Sequence, residues 1–216
     1  MENLTAEITR TSAPQMPPSV PNDKISYQKF LEWNGDEGWF EWVDGEVIRI
    51  SNPSLRHQDL CDFLTAILRF FVEAKRYGRI ISAPFQIKFD FRPSGRQPDI
   101  MFVSNENLHR LKKQYVDEKA DLIVEIVSPE SIERDTQDKF QEYESAGIEE
   151  YWIIDPNRRT ANFYGFDENG KYKLLPIAAN GNFESRVIEG LWINTEWLWQ
   201  EPLPNLMDVL KEWKLV

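Results

Sequence analysis

Leu122-Ile123-Val124-Glu125-Ile126-Val127 sets one carboxylate among five apolar residues, and no other segment constrains the fold as strongly. A run this short, with Asp121 before it and Ser128-Pro129 after it, reads as a strand buried on both faces. Burying a carboxylate costs several kcal/mol even after the surroundings relax. Something must offset that cost at Glu125: a cation, a set of donors, or a metal ion. Pro98-Asp99-Ile100 marks the end of a similar strand upstream, and Lys139 lies on a helix just downstream.

The 216 residues are 41% hydrophobic, enough for one sizeable core, so a single domain is expected over residues 25–216. A formal net charge of -11 argues against a chain that coats nucleic acid nonspecifically. It leaves room for a nuclease, because clustered acids are what hold a divalent metal. A local basic strip would still be needed, and Lys88, Arg92, Arg96, Arg110, Lys112 and Lys113 are its candidates. Each is equally accounted for as a solvated surface charge. Cys61 is the single cysteine, which rules out an intramolecular disulfide. Two histidines leave no Cys/His zinc cluster. Neither a signal peptide nor a run of membrane-spanning length is evident, which gives the expectation of a cytoplasmic chain with no membrane partner.

Residues 1–24 carry Pro14, Pro17, Pro18 and Pro21 among small polar residues and read as a flexible N-terminal arm. Ser26 is placed to cap a short helix reaching Trp33. Asp44-Gly45, between Phe40–Val43 and Val47–Ile50, predicts a β-hairpin, since a type I′ turn needs positive φ. Ser54 then opens a long helix that Gly78 should stop, with Leu60, Leu64, Ile67, Leu68 and Phe71 as its core stripe. Three strands are expected next, around Phe85–Phe89, Asp99–Val103 and Leu122–Val127. A helix over Asp135–Ala146 follows, capped by Asp135 and ended by Gly147. Glu150–Asp155 reads as a strand stopped by Pro156, residues 160–166 and 171–175 as a late hairpin, and Pro204–Trp213 as a closing helix. The order is that of an α/β fold around a mixed sheet.

Asp99 and Glu125, on neighbouring strands, can reach one edge of the sheet if those strands pair. Magnesium takes hard oxygen ligands and is commonly held by one or two protein carboxylates, with water and phosphate completing its shell. The plain alternative is a strand-end aspartate and a structural ion pair at Glu125. Lys139 and Tyr143, at i and i+4, share a helix face, so the lysine either faces the acids or is an exposed cation beside Asp135 and Asp138. Asp, Glu and Lys meeting at strand ends suggest a magnesium-dependent phosphodiesterase.

Pro98-Asp99, then Val124-Glu125-Ile126-Val127-Ser128-Pro129, then Asp135, Lys139 and Tyr143, then Ala146-Gly147-Ile148-Glu149-Glu150-Tyr151-Trp152-Ile153-Ile154-Asp155-Pro156, resembles the Uma-type putative restriction endonuclease family of the PD-(D/E)XK nuclease superfamily. The Glu41–Glu46 hairpin and Pro53–Gln58 resemble its N-terminal portion, and the likeness spans roughly residues 25–200.

The resemblance implies a restriction-endonuclease-like core, a mixed central β-sheet flanked by helices, with an N-terminal β-hairpin and a C-terminal hairpin and helix extension. It implies an endonuclease hydrolysing phosphodiester bonds, with DNA the expected substrate and Mg2+ or Mn2+ the cofactor. Asp99 and Glu125 match the metal-binding acids. The superfamily's lysine commonly follows the second acid by two residues, where this chain has Val127, so Lys139 becomes the substitute that positions water. Glu46, His57, Gln86 and Tyr143 are supporting candidates. For the first three the alternatives are a solvent-facing hairpin acid, a core-edge histidine and the polar side of a strand. Trp192, Trp197 and Trp199 read as core or a dimer surface, and a homodimer is expected because a duplex has two strands. The competing reading is a catalytically inactive nuclease-fold protein that binds nucleic acid or serves assembly.

Overall fold

The computed structural model describes residues 20–33, 38–128 and 131–216. Residues 1–19 of the expected arm, and Pro129 of the expected strand stop, lie outside them.

Helix α1, Tyr27–Glu32, starts at Ser26, whose hydroxyl accepts from the Lys29 N–H. Strands β1 (Trp39–Val43) and β2 (Glu46–Ile50) form the expected hairpin. Asp44 and Gly45 both have positive φ, 51° and 92°, as a type I′ turn requires. Helix α2 spans Leu55–Lys75, with the Ser54 hydroxyl capping the His57 N–H. Leu60, Leu64, Ile67 and Leu68 are fully buried along its stripe. Its stop differs from expectation. Arg76, in the left-handed region at φ 59°, ends the helix, because its N–H and that of Tyr77 return to the Glu73 and Val72 carbonyls. Gly78 instead opens β3 (Gly78–Ser82), so close to the next strand that a Cβ would collide with the Val103 carbonyl.

Five strands then follow the one at Gly78 where three were expected in all: β4 (Gln86–Phe89), β5 (Ser94–Arg96), β6 (Ile100–Ser104), β7 (Tyr115–Asp117) and β8 (Leu122–Ile126). β5 and β7 are three residues each, too short to carry a period. One wide turn, Arg134–Asp138, closed by the Lys139 N–H on the Arg134 carbonyl, leads into α3 (Lys139–Ala146). Asp135 is therefore inside the helical segment and not its cap. Gly147 ends α3 at φ 76°. Strands β9 (Glu150–Asp155), β10 (Thr160–Phe166), β11 (Tyr172–Leu174), β12 (Asn182–Glu184) and β13 (Trp192–Asn194) precede α4 (Leu206–Glu212).

The central sheet has the order β11-β10-β9-β8-β6-β3 and is mixed: β8 and β9 are parallel, the other pairs antiparallel. Alternation along β8 sends Leu122, Val124 and Ile126 toward α2 and Ile123 and Val127 toward α3. Glu125 has the parity of the α3 side. A second sheet, β2-β1-β5-β4-β7, packs across α3 from the other direction: Tyr143 touches Phe89 of β4 at 6.0 Å and Tyr151 of β9 at 5.1 Å between ring centroids. Thus α3 is covered on both sides, and Lys139, Glu142 and Tyr143 are buried between the two sheets. Trp192, Trp197 and Trp213 cluster with Phe71 in the α2 core, in keeping with the core reading. Among the described residues no helix is long and apolar enough to cross a membrane.

Candidate active site

Pairing of β6 with β8 sets Ile100 opposite Val124, so Asp99 and Glu125 meet at the same edge. Asp99 is pinned there: its Oδ2 accepts from the Ile126 N–H at 2.7 Å and faces His57 Nε2 at 3.4 Å. His57 comes from the first turn of α2, which Ser54 anchors. Glu125 Oε1 accepts from Lys139 Nζ and from the Tyr143 hydroxyl, both at 2.8 Å. The i, i+4 spacing thus delivers two donors to one carboxylate oxygen.

Two further acids complete the surroundings of Lys139. Asp135 Oδ1 lies 3.1 Å and Glu41 Oε1 3.3 Å from its ammonium. Glu41, from the middle of β1, also takes Arg96 Nη1 at 3.0 Å and the Gln97 N–H at 3.3 Å. Arg96 reaches across to Glu142 of α3 with Nε at 2.9 Å and Nη2 at 2.6 Å, and Ser94 bonds the same carboxylate. Five carboxylates (Glu41, Asp99, Glu125, Asp135, Glu142) and two fixed cations (Arg96, Lys139) are therefore buried together. The acids outnumber the cations.

The imbalance decides the protonation states. Burial would raise the Glu41 pKa, but the charges of Lys139 and Arg96 outweigh it and hold Glu41 down at about 2. At Glu125 burial wins: with Asp135 and Asp99 adding like charge, its carboxyl is pushed far above the usual range despite Lys139. Burial opposes charge on Lys139 too, yet Asp135, Glu125 and Glu41 together keep it protonated. For His57, burial disfavours charge, but the bond and charge of Asp99 reverse the sign and raise its pKa.

Asp99, Glu125, Asp135, Lys139 and His57 line one cavity of about 40 Å³, together with Ile126. Asp99 Oδ1 and Glu125 Oε2 make no hydrogen bond with a described residue. His57 Nδ1 is buried without a hydrogen-bond partner among the described residues. Among the described residues, no group of three or more His, Cys, Asp or Glu side chains is arranged to hold a metal ion. What the cavity offers a cation is a pair of carboxylates.

The structure brings Asp99, Glu125, Lys139, Tyr143 and His57 together. It separates the other two candidates from them. Glu46 is exposed at the start of β2 and pairs loosely with Lys24 at 3.7 Å. The hairpin does supply an acid, but the strand's parity makes it Glu41. Gln86 accepts from the Tyr27 hydroxyl at 2.8 Å and lines a neighbouring pocket. Sequence reasoning missed Glu41, Asp135, Arg96 and Glu142 as members of the site. Glu41 carries the same signal as Glu125, an acid flanked by Phe40 and Trp42 in a strand. Asp135 and Lys139 are legible as a pair from their i, i+4 spacing.

The family model "Putative restriction endonuclease", Uma2, matches residues 27–196. The fold is similar to that of a crystal structure described as a putative nuclease belonging to DUF820 from Anabaena variabilis ATCC 29413. The TM-score is 0.67 at 17% identity, covering 81% of this chain and 97% of that one. No curated protein sequence matches this chain. The family match supports a nuclease function. The matched segment takes in β1, α2, every strand of the central sheet, and α3 with its buried lysine. The chain belongs to the Uma2 putative restriction endonuclease family.

Proposed function

We propose that this chain is a divalent-metal-dependent endonuclease that hydrolyses phosphodiester bonds in DNA. The observation that carries the proposal is the convergence of Asp99 and Glu125, each with an oxygen free of described hydrogen bonds, on one small cavity beside a protonated lysine. The donor set fits Mg2+ or Mn2+: two hard carboxylates and an excess of buried negative charge, with Asp135 lining the same cavity. Asp99 and Glu125 would hold the ion. When bound, such an ion supplies an activated water and neutralises charge developing on the phosphate.

The chain's own residues do the positioning. The Ile126 N–H orients Asp99, and Lys139 and Tyr143 orient Glu125. Lys139 has three carboxylates within 3.3 Å, so aiming an N–H at the attacking water requires one of them to yield. The Glu41 pairing is the longest. His57 Nε2 faces the same Asp99 oxygen that the Ile126 N–H holds.

That same clamp favours the second reading, a nuclease-fold nucleic-acid-binding or assembly protein, since no lysine donor is spare and Val127 stands two residues after Glu125. Nicking of supercoiled plasmid in Mg2+ or Mn2+ separates the two. The expected result is metal-dependent nicking that Asp99→Asn and Glu125→Gln each abolish while leaving the melting curve cooperative. Nicking that persists in either variant or in chelator would overturn the mechanism, and binding without any turnover would favour the second reading. A homodimer is part of the proposal, and a monomer mass by light scattering would remove it.

A further inference from the structure

We propose that a groove edged by Arg69, Arg79, Lys112 and Lys113 carries the phosphate backbone of a single nucleic-acid strand, one base of which enters the aromatic pocket between that groove and the Asp99–Glu125 cavity. The proposal rests on the reading that this cavity faces nucleic acid, and adds where and in what form the strand lies.

Continuity is the first argument. Gln97 lines both the acidic cavity and a pocket of about 370 Å³ walled by Trp33, Phe40 and Phe85. Pro84, Phe85 and Lys113 in turn line both that pocket and the basic groove, of about 430 Å³. Shared lining residues thus set the three spaces side by side, in the order cavity, pocket, groove.

Charge is the second. The chain has a formal net charge of -11, yet no Asp or Glu among the described residues lines either the pocket or the groove. Arg69, Arg79 and Lys113 are exposed and make no ion pair with a described residue, and the one carboxylate near Lys112 is loose, at 3.8 Å to Asp117. The other cations of the expected basic strip behave differently. Lys88 pairs with Asp90, Arg92 with Asp44 and Arg110 with Glu118, while Arg96 is internal. Arg69, Arg79 and Lys113 on one groove suit a polyanion, since each phosphate neutralised releases condensed counterions.

The pocket selects the form of that polyanion. Aromatic walls stack a flat base whatever its identity, and a base can enter only if it is unpaired. Gln97, whose Oε1 is buried without a hydrogen-bond partner among the described residues, stands where the pocket meets the acidic cavity. A double helix would present phosphates to the groove but leave the pocket empty.

The test is fluorescence anisotropy with full-length protein in chelating buffer, so that binding is read without turnover. The probe is a labelled oligonucleotide, single-stranded or annealed to its complement. The single strand is expected to bind more tightly. Arg69→Ala with Arg79→Ala should weaken it at least tenfold and lower the slope of log affinity against log salt by about 1.4, since each phosphate neutralised on a single strand accounts for about 0.7. Phe85→Ala should weaken it roughly tenfold with the slope unchanged. Lys173→Ala and Lys211→Ala, outside the groove, should bind as wild type. The arginine variants are at exposed positions, and a wild-type melting curve confirms that each tests binding.

Unchanged affinity or slope in the arginine variant overturns the groove. Tighter duplex binding overturns the single strand. Adding Mg2+ separates this proposal from the catalytic one. Binding through the groove without cleavage leaves the inference standing and removes the enzyme. Cleavage that the arginine variant performs like wild type does the reverse.

Discussion

Lys139 Nζ and Glu125 Oε1 lie 2.8 Å apart, joining the first turn of α3 to the penultimate residue of β8. The two residues are 14 positions apart in the chain, and both are almost fully buried. The acid that looks like an isolated cost in an apolar strand has a cation, and that cation is shared with Glu41 and Asp135.

Lys139→Met should therefore cost more than one ion pair. It leaves Glu41 and Asp135 without their common counter-charge and Glu125 without its donor, and breaking a buried pair costs about 3–5 kcal/mol. Urea denaturation at neutral pH should show a loss of at least that size. Adding Asp135→Asn should restore part of it, because a neutral amide no longer needs the cation that Lys139 placed 3.1 Å away. Strictly additive losses in the double variant would show that the two residues do not act as a pair.

Metal binding should release a proton near neutral pH. Glu125 is raised from 4.5 to about 8, by burial first and then by Asp135 and Asp99, so at pH 7 it is mostly protonated without metal. A cation needs the carboxylate. Calorimetric titration of Mg2+ in two buffers of different ionisation enthalpy should give heats that differ accordingly, with affinity rising up to about pH 8 and levelling beyond. Identical heats in both buffers would refute it. The stability sign follows as well. A carboxyl with a raised folded pKa stabilises most below its unfolded value, so the metal-free protein should lose stability as pH climbs from 4.5 through about 8.

Glu41 has the opposite sign. Lys139 and Arg96 hold it at about 2, against 4.5 unfolded, so its contribution is present above pH 4.5 and disappears as pH falls toward 2. A shift of this size corresponds to about 3 kcal/mol. Melting temperature against pH should show an acid limb in the wild type that is much shallower in Glu41→Gln. Parallel limbs would mean that other carboxylates govern acid unfolding.

The legible parts of this fold are those with a local signal. Asp44-Gly45 dictates its turn, Ser26 and Ser54 their caps, and the Leu60–Phe71 stripe its helix, because each is decided within a few residues. The second sheet is not legible, since Ser94–Arg96 and Tyr115–Asp117 become strands only by pairing with distant partners. The site divides the same way. Asp99, Glu125 and Lys139 are marked by an acid in an apolar run and by the resemblance that follows from it. Sequence favours Glu46 over Glu41 because the hairpin's inward parity is set by that second sheet. Asp135 reads as a cap because the wide turn at Arg134–Asp138, which carries the helix past it, leaves no pattern in sequence.

Arg96 tests whether the second sheet supports the site. Its guanidinium bridges Glu41 on β1 and Glu142 on α3, both sealed from solvent, using three N–H groups in a planar fork. An ammonium keeps the charge but cannot span both carboxylates in that geometry. Arg96→Lys should therefore lose roughly 1.5–3 kcal/mol, the worth of a hydrogen bond to a charged group. Arg96→Met should do far worse at neutral pH, because two buried carboxylates then lack a cation. It should regain cooperative unfolding when Glu142→Gln is added, since Glu41 still has Lys139 while Glu142 keeps only Ser94 among the described residues. Circular dichroism melts of the three variants decide it. An Arg96→Met protein as stable as Arg96→Lys would mean that the clamp adds nothing to the seal over Lys139.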